Sequence, residues 1–293
     1  MDRAEHSLQG LNRRSLLAAL AATIFTGSGW APSWAGPAGL ELSGAFVQGG
    51  YAIGRTQPFA AITLDGQAAG KASAAGIFIV GFDRDSPASV DLRVAAGQGE
   101  VQRTLAIAPG TFDIQHIEGL PSDQVTPTDP ALLARIAAER ARKAVGFASV
   151  APGAAFATGF VLPVQGARQT ARFGGQRVLN GEAKQPHYGD DLAAPVGAPV
   201  TAPAAGVVAF AETGLHYEGG LIMIDHGQGL ITLYLHLSRV DVAAGQPVSQ
   251  GQLIGAVGKE GRATGPHLCW RMKWRGRNLD PMLMLRTQAT TLR

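Results

Sequence analysis

The sequence predicts a mainly β chain: a small N-terminal β-sandwich, a linker carrying a helix, and a C-terminal domain of antiparallel β structure. Three observations predict it. Glycine and proline are abundant, 39 and 17 of 293 residues, and they punctuate short apolar runs. Those runs recur at nearly regular intervals. Only one stretch, near residue 130, has the apolar spacing of an amphipathic helix. At roughly 100–200 residues per domain the chain has room for two, and 46% hydrophobic with 16% charged residues suits globular cores. The formal net charge of +3 gives no electrostatic case for a nucleic-acid partner.

Residues 1–35 have the form of an export signal. Asn12-Arg13-Arg14-Ser15-Leu16-Leu17 opens an apolar run from Leu16 to Phe25, and Ser33-Trp34-Ala35 places small residues at the −3 and −1 positions of a cleavage site. The arginine pair before the apolar core has the pattern of a twin-arginine signal, with general secretory export as the alternative. The apolar run is too short to span a bilayer comfortably, so a cleaved signal and an exported, periplasmic or cell-envelope mature chain without a membrane span are expected.

Residues 36–121 read as the sandwich. ELSGAFVQGGYAIG, AAITLDG, GIFIVGFD, SVDLRVAAG, VQRTLAIAP and TFDIQHIEG follow one another, separated by turn residues. Residues 122–158 read as linker. In it Asp129 is placed to cap a helix whose first residue is Pro130, and Leu132, Leu133, Ile136, Ala137 and Arg140 mark one stripe of that helix. The helix reads as a spacer. Residues 159–285 read as the second β domain, with 286–293 a tail. Within that domain PVGAPVTAPAAGVVA and AAGQPVSQGQLIGAVG echo each other, which predicts two related hairpins.

Candidate chemistry concentrates in the second domain, where five of the seven histidines fall. In GLITLYLHLS, strand alternation puts Ile231, Leu233, Leu235 and Leu237 on an apolar face and Thr232, Tyr234 and His236 on a polar one. In HLCWRMKW, Leu268, Trp270, Met272 and Trp274 form the apolar face, so His267, Cys269, Arg271 and Lys273 share the other. His187 and Asp191 in HYGDDLAAP stand four apart, a spacing that serves two metal ligands in a tight loop or an ordinary His–Asp turn. Cys269 is the only cysteine, which excludes an internal disulfide.

FGGQRVLNGEAKQPHYGDDLAAPVGAPVTAPAAGVV, MIDHGQGLITLYLHLS and GQPVSQGQLIGAVGKEGRATGPHLCW together resemble the lysostaphin-type (LytM-like) zinc metalloendopeptidases over roughly residues 160–283. The upstream β region is similar to the accessory part of exported bacterial members. The resemblance implies one zinc ion held by His187, Asp191 and a third ligand at position 269. It also implies His236 and His267 as catalytic groups and peptidoglycan as the substrate, with a regulatory protein partner left open. Position 269 is histidine in the family pattern and Cys269 here. Three readings follow: a thiolate ligand, a degenerate metal-free fold that binds the wall or activates another hydrolase, and a buried filler. Zinc accepts sulfur, nitrogen and oxygen donors, and the other four motif positions stand, which favours the ligand. Tyr234, His216 and Arg271 are the expected substrate contacts. A biotinyl or lipoyl carrier, whose hairpins the echoed segments also resemble, would need a lysine at the Asp225-His226-Gly227 turn, which has none.

Overall fold

A computed structural model of the chain describes residues 39–97 and 99–285; the expected export signal and C-terminal tail lie outside the described residues. Strands β1 (Glu41–Ala45), β2 (Tyr51–Arg55), β3 (Ala61–Leu64), β4 (Gln67–Lys71), β5 (Ile77–Gly81), β6 (Ser89–Ala96) and β7 (Gly99–Ala106) form two antiparallel sheets, ordered β1-β2-β5 and β4-β3-β6-β7. β6 shows why: Val90, Leu92 and Val94 are buried while Asp91 and Arg93 face water, the period-two burial of a sheet covered on one side. At Gly54 the two strands β2 and β5 come so close that an added Cβ would lie 2.1 Å from the Phe78 ring, so only glycine fits.

The chain continues through β8 (Ile114–Ile117), α1 (Ser122–Val125) and α2 (Pro130–Phe147), then a 3₁₀ turn at Ala155–Thr158. After it come β9 (Arg168–Ala171), β10 (Gln176–Leu179), β11 (Glu182–Ala183), β12 (Gly189–Ala193), β13 (Pro199–Thr201) and β14 (Gly206–Leu215). The last strands are β15 (Gly219–Asp225), β16 (Leu230–Val240), β17 (Pro247–Val248), β18 (Leu253–Val257), β19 (His267–Trp274) and β20 (Arg277–Leu279). The main sheet runs β17-β14-β15-β16-β19-β12-β9, with β18 joining β13 to β16 and β20 pairing with β19. The two echoed segments do not form separate hairpins. They pair with each other, Val200 opposite Gly255 and Gly206 opposite Val248.

Two other expectations need correction. TFDIQHIEG does not close the sandwich: β8 crosses to the second half of the chain and pairs in parallel with β10, Val178 opposite His116. The helix is not a free spacer. Asp129 caps it, accepting from the backbone of Ala131 and Leu132 (3.3 and 3.1 Å). Its inner face is Leu132, Ile136, Glu139, Lys143 and Gly146 rather than the apolar stripe alone. Glu139 is buried because it accepts from Arg135 and from the backbone N–H of His216, and Lys143 pairs with Glu218. The buried side chains of the N-terminal sheets and of the main sheet belong to one apolar cluster. A smaller cluster of Phe210, Leu221, Met223, Ile231, Leu233, Leu235 and Cys269 occupies the opposite face, where Gly146 of α2 meets Phe210 and Met223.

Candidate metal centre

The site is built where β12 and β19 pair, with Asp191 directly opposite Cys269. Asp191 and Cys269 face the same side, and His187, in the loop before β12, closes over them. His187 Nε2 lies 3.1 Å from Asp191 Oδ1 and 3.2 Å from Cys269 Sγ. All three ligand atoms fall within 4.8 Å of one another, and all three residues are buried. His267, at the start of β19, brings its Nε2 to 3.6 Å from Asp191 Oδ1.

His236 reaches this group through a bulge. On β15, Gly220 faces Leu237 and Ile222 faces Tyr234, so β16 carries one extra residue between those pairs, and His236 takes φ 66°. A bulge with a left-handed residue re-aims side chains. Here it returns His236 to the face of Cys269, its ring centroid 4.8 Å from that of His267. Simple alternation had assigned His236 to the face of Tyr234, and that assignment is corrected. Tyr234 and Thr232 point into the main core, where the Tyr234 hydroxyl bonds Thr232 Oγ1 at 2.7 Å and Thr232 Oγ1 bonds His226 Nε2 at 2.7 Å. Tyr234 therefore touches no substrate from this position. The row Ile231, Leu233 and Leu235 forms part of the second cluster with Cys269.

Cys269 occupies the face expected of it, yet it is only 1% exposed. Its sulfur is nevertheless polar in its contacts, accepting from Arg271 Nε at 3.3 Å. Arg271 is thus in the wall of the centre, beside the sulfur. His216 is a second correction. It is buried, its backbone N–H bonds Glu139, and its Nε2 lies 3.2 Å from the Asp123 carbonyl, so it ties α1 and α2 to the end of β14.

The electrostatics suit a cation. Burial acts to raise the Asp191 carboxyl, but His187, His267 and Arg177 overcome it and hold the group far below its ordinary range. Arg177 Nη2 contacts Asp191 Oδ2 at 3.3 Å, while buried Asp191 Oδ1 accepts no hydrogen bond. Burial lowers His236 to about 4 and lowers His267 as well. Each presents Nδ1 to a carbonyl, Glu260 O at 2.7 Å and Gly265 O at 2.8 Å, so each neutral ring carries its proton on Nδ1 and leaves Nε2 bare. One nitrogen, one carboxylate oxygen and one sulfur converge around an unsatisfied buried oxygen. That donor set fits zinc, with three protein ligands and an open position.

Sequence reading missed the groups around the centre. Ile117 and Leu120 line a space of about 40 Å³ together with Asp191, His236 and His267. That holds about two or three waters and no peptide. The segment is pinned by Asn180, whose side chain accepts from Leu120 N–H (3.1 Å) and donates to the Leu120 carbonyl (2.7 Å). Arg262 adds a bond to the Gln124 carbonyl at 3.2 Å. Nothing local to these positions marks them, because the contacts join residues 60 or more apart in the chain.

Residues 185–281 match the model of peptidase family M23. Among curated proteins, peptidoglycan DD-endopeptidase ShyA of Vibrio cholerae is 46% identical over 98 residues, 33% of this chain and 22% of that protein. Peptidoglycan DD-endopeptidase ShyC of the same organism is 37% identical over 132 residues, 44% of this chain and 30% of that protein. DD-carboxypeptidase/endopeptidase Mpg of Neisseria meningitidis is 45% identical over 96 residues, 33% and 22% of the two chains. The matches thus span less than a third of these relatives' lengths. A solved Pseudomonas aeruginosa structure assigned to peptidase M23 is 28% identical, with a TM-score of 0.62 over 82% of this chain and 95% of that one. Residues 185–281 of this mainly β chain form a peptidase M23 domain of the lysostaphin type.

Proposed function

We propose that the protein is an exported zinc metalloendopeptidase that hydrolyses peptide bonds of peptidoglycan, in cross-links or stem peptides. The observation that carries this reading is the convergence of His187 Nε2, Asp191 Oδ1 and Cys269 Sγ beside two histidines with bare Nε2 atoms. The DD-endopeptidase and DD-carboxypeptidase/endopeptidase names of the ShyA, ShyC and Mpg relatives support the substrate class.

His187, Asp191 and Cys269 would hold the ion, which when bound supplies polarisation of a water and of the scissile carbonyl. The chain's own residues do the rest. His236, neutral above its low pKa, accepts a proton at Nε2, and the Glu260 carbonyl fixes its tautomer and ring plane. His267 Nε2, bare and next to the Asp191 anion, is a second proton acceptor, and the proton that His236 takes up at Nε2 is the one returned to the leaving amine. Leu233 and Leu235 exclude water from the sulfur side. The twin-arginine pattern supports export and a periplasmic or cell-envelope location, and among the described residues no helix is long and apolar enough to cross a membrane.

The closed cover of Ile117 and Leu120 favours a second reading, a metal-free wall-binding protein or activator on the same fold. Zinc stoichiometry and digestion of purified sacculi, read by mass spectrometry of released muropeptides, separate the two. One zinc per chain and new muropeptides are expected. No zinc, and no new muropeptides when zinc is supplied, would overturn the hydrolase reading.

A further inference from the structure

Behind His236 the structure encloses a space of about 110 Å³ walled by Arg177, Arg262 and Arg271, with Glu218 the one acidic residue at its lining. Three guanidinium groups around so small a space are costly at low dielectric. At Arg177 and Arg262 burial outweighs the neighbouring charges, while at Arg271 the Cys269 sulfur, Glu218 and Asp191 outweigh it. Among the described residues Arg177 bonds only Asp191, Arg262 only the Gln124 carbonyl, and Arg271 only Cys269 Sγ. Each guanidinium has five N–H donors, so most are unused, and Arg177 Nε is buried with no partner. Glu218 acts on Arg262 and Arg271 and keeps a buried, unbonded Oε2, but its Oε1 pairs with Lys143, so one carboxylate is shared between that lysine and the arginines. The Arg262 plane is further fixed by the Tyr217 ring at 4.9 Å.

A larger cavity of about 690 Å³ between α2 and the sheet shares all three arginines, and Lys143, Lys184 and Lys273 also line it. His187 lies on the same cavity wall. One cavity wall thus carries a metal ligand and the three arginines, and its charged lining is basic apart from Glu218.

Rigid guanidinium forks match carboxylates in bidentate geometry. We infer that Arg177, Arg262 and Arg271 form a carboxylate-binding pocket beside the metal centre, taking a free carboxylate of the peptide whose bond is cut there. This deepens the hydrolase reading and rests on it for the identity of the ligand as a substrate. It makes the protein a reader of charged peptide ends or side-chain carboxylates, rather than of neutral amidated ones. Arg177 has a double role, because it also touches Asp191, so Arg262 is the residue that isolates the pocket.

The test uses the full zinc-loaded chain and two ligands, diacetyl-Lys-D-Ala-D-Ala with a free terminal carboxylate and the same peptide as its terminal amide. Calorimetric titration reads binding and chromatography reads cleavage. The carboxylate peptide is expected to bind at least about tenfold more tightly, and Arg262→Gln to reduce that preference below about threefold. Arg262→Lys, which keeps the charge and loses the fork, is expected to fall between. Equal affinity of the two peptides for the unsubstituted protein, or no measurable binding of either at millimolar concentration, overturns the pocket. So does an undiminished preference in a folded Arg262→Gln chain. A clear preference without cleavage retains the pocket, and the hydrolase reading is then decided separately by the digestion of sacculi.

Discussion

Cys269 Sγ and His187 Nε2 stand 3.2 Å apart across the β12–β19 pair, a sulfur where the family pattern has a second nitrogen. Loss of an outer-shell partner alone weakens metal binding by about 10–100-fold, so removal of a ligand costs more. Cys269→Ala is expected to weaken zinc affinity by at least about 100-fold, measured by competition with a chromophoric chelator. Cobalt-loaded protein should show a sulfur-to-metal charge-transfer band that Cys269→His lacks while still binding the ion. Unchanged zinc affinity in Cys269→Ala would take the sulfur out of the site.

His236 sets the acid limb of activity. Its burial lowers the folded pKa to about 4, so the ring is neutral and able to accept a proton above that value, and loses this capacity as pH falls through it. kcat/KM is expected to hold at pH 5.5, where an ordinary histidine is mostly protonated, and to fall near pH 4. His236→Ala should lower kcat by about 10²–10⁴-fold without removing zinc. A limb centred near 6.5 would contradict the buried, carbonyl-held ring.

Asn180 holds the cover by two hydrogen bonds to Leu120, each worth about 1 kcal/mol. Asn180→Ala is expected to shift the cover towards open and to raise kcat/KM on peptides by about tenfold. Hydrogen exchange at residues 114–120 should accelerate in parallel. An unchanged rate together with faster exchange would show that substrates enter by the basic cavity instead.

Gly146 reverses the usual helix rule. Gly146 lies in the last turn of α2, where replacing a helical glycine by alanine is ordinarily stabilising by up to about 1 kcal/mol. Here the added Cβ would lie 2.8 Å from both Met223 Sδ and Phe210 Cβ. Overpacking costs about 1–3 kcal/mol, so Gly146→Ala is expected to lower Tm.

His226 makes folding pH-dependent. Burial lowers it from 6.5 to about 4, so the folded state binds fewer protons than the unfolded one. Its contribution is fully present above pH 6.5 and is lost as pH falls towards 4, by about 3 kcal/mol in all. Urea unfolding at pH 7.5 and 4.5 should show the loss, and His226→Gln should flatten it.

The sequence alone determined the β character of both halves, the capped helix at Asp129 and the two faces of β19, because turn residues, caps and alternation act within a few neighbours. It also brought His187, Asp191, His236, His267 and Cys269 together as one expected set, through their resemblance to a family pattern. The tertiary structure decided what depends on pairing across the chain. A single extra residue in β16 turned His236 away from Tyr234, since one inserted residue inverts alternation beyond it. β8 left the sandwich to cover the centre, and His216 became a tie to α1. Arg177 and Arg262, unremarkable in their own segments, met Arg271 only because β10 folds against β19 and the loop before it around one small space.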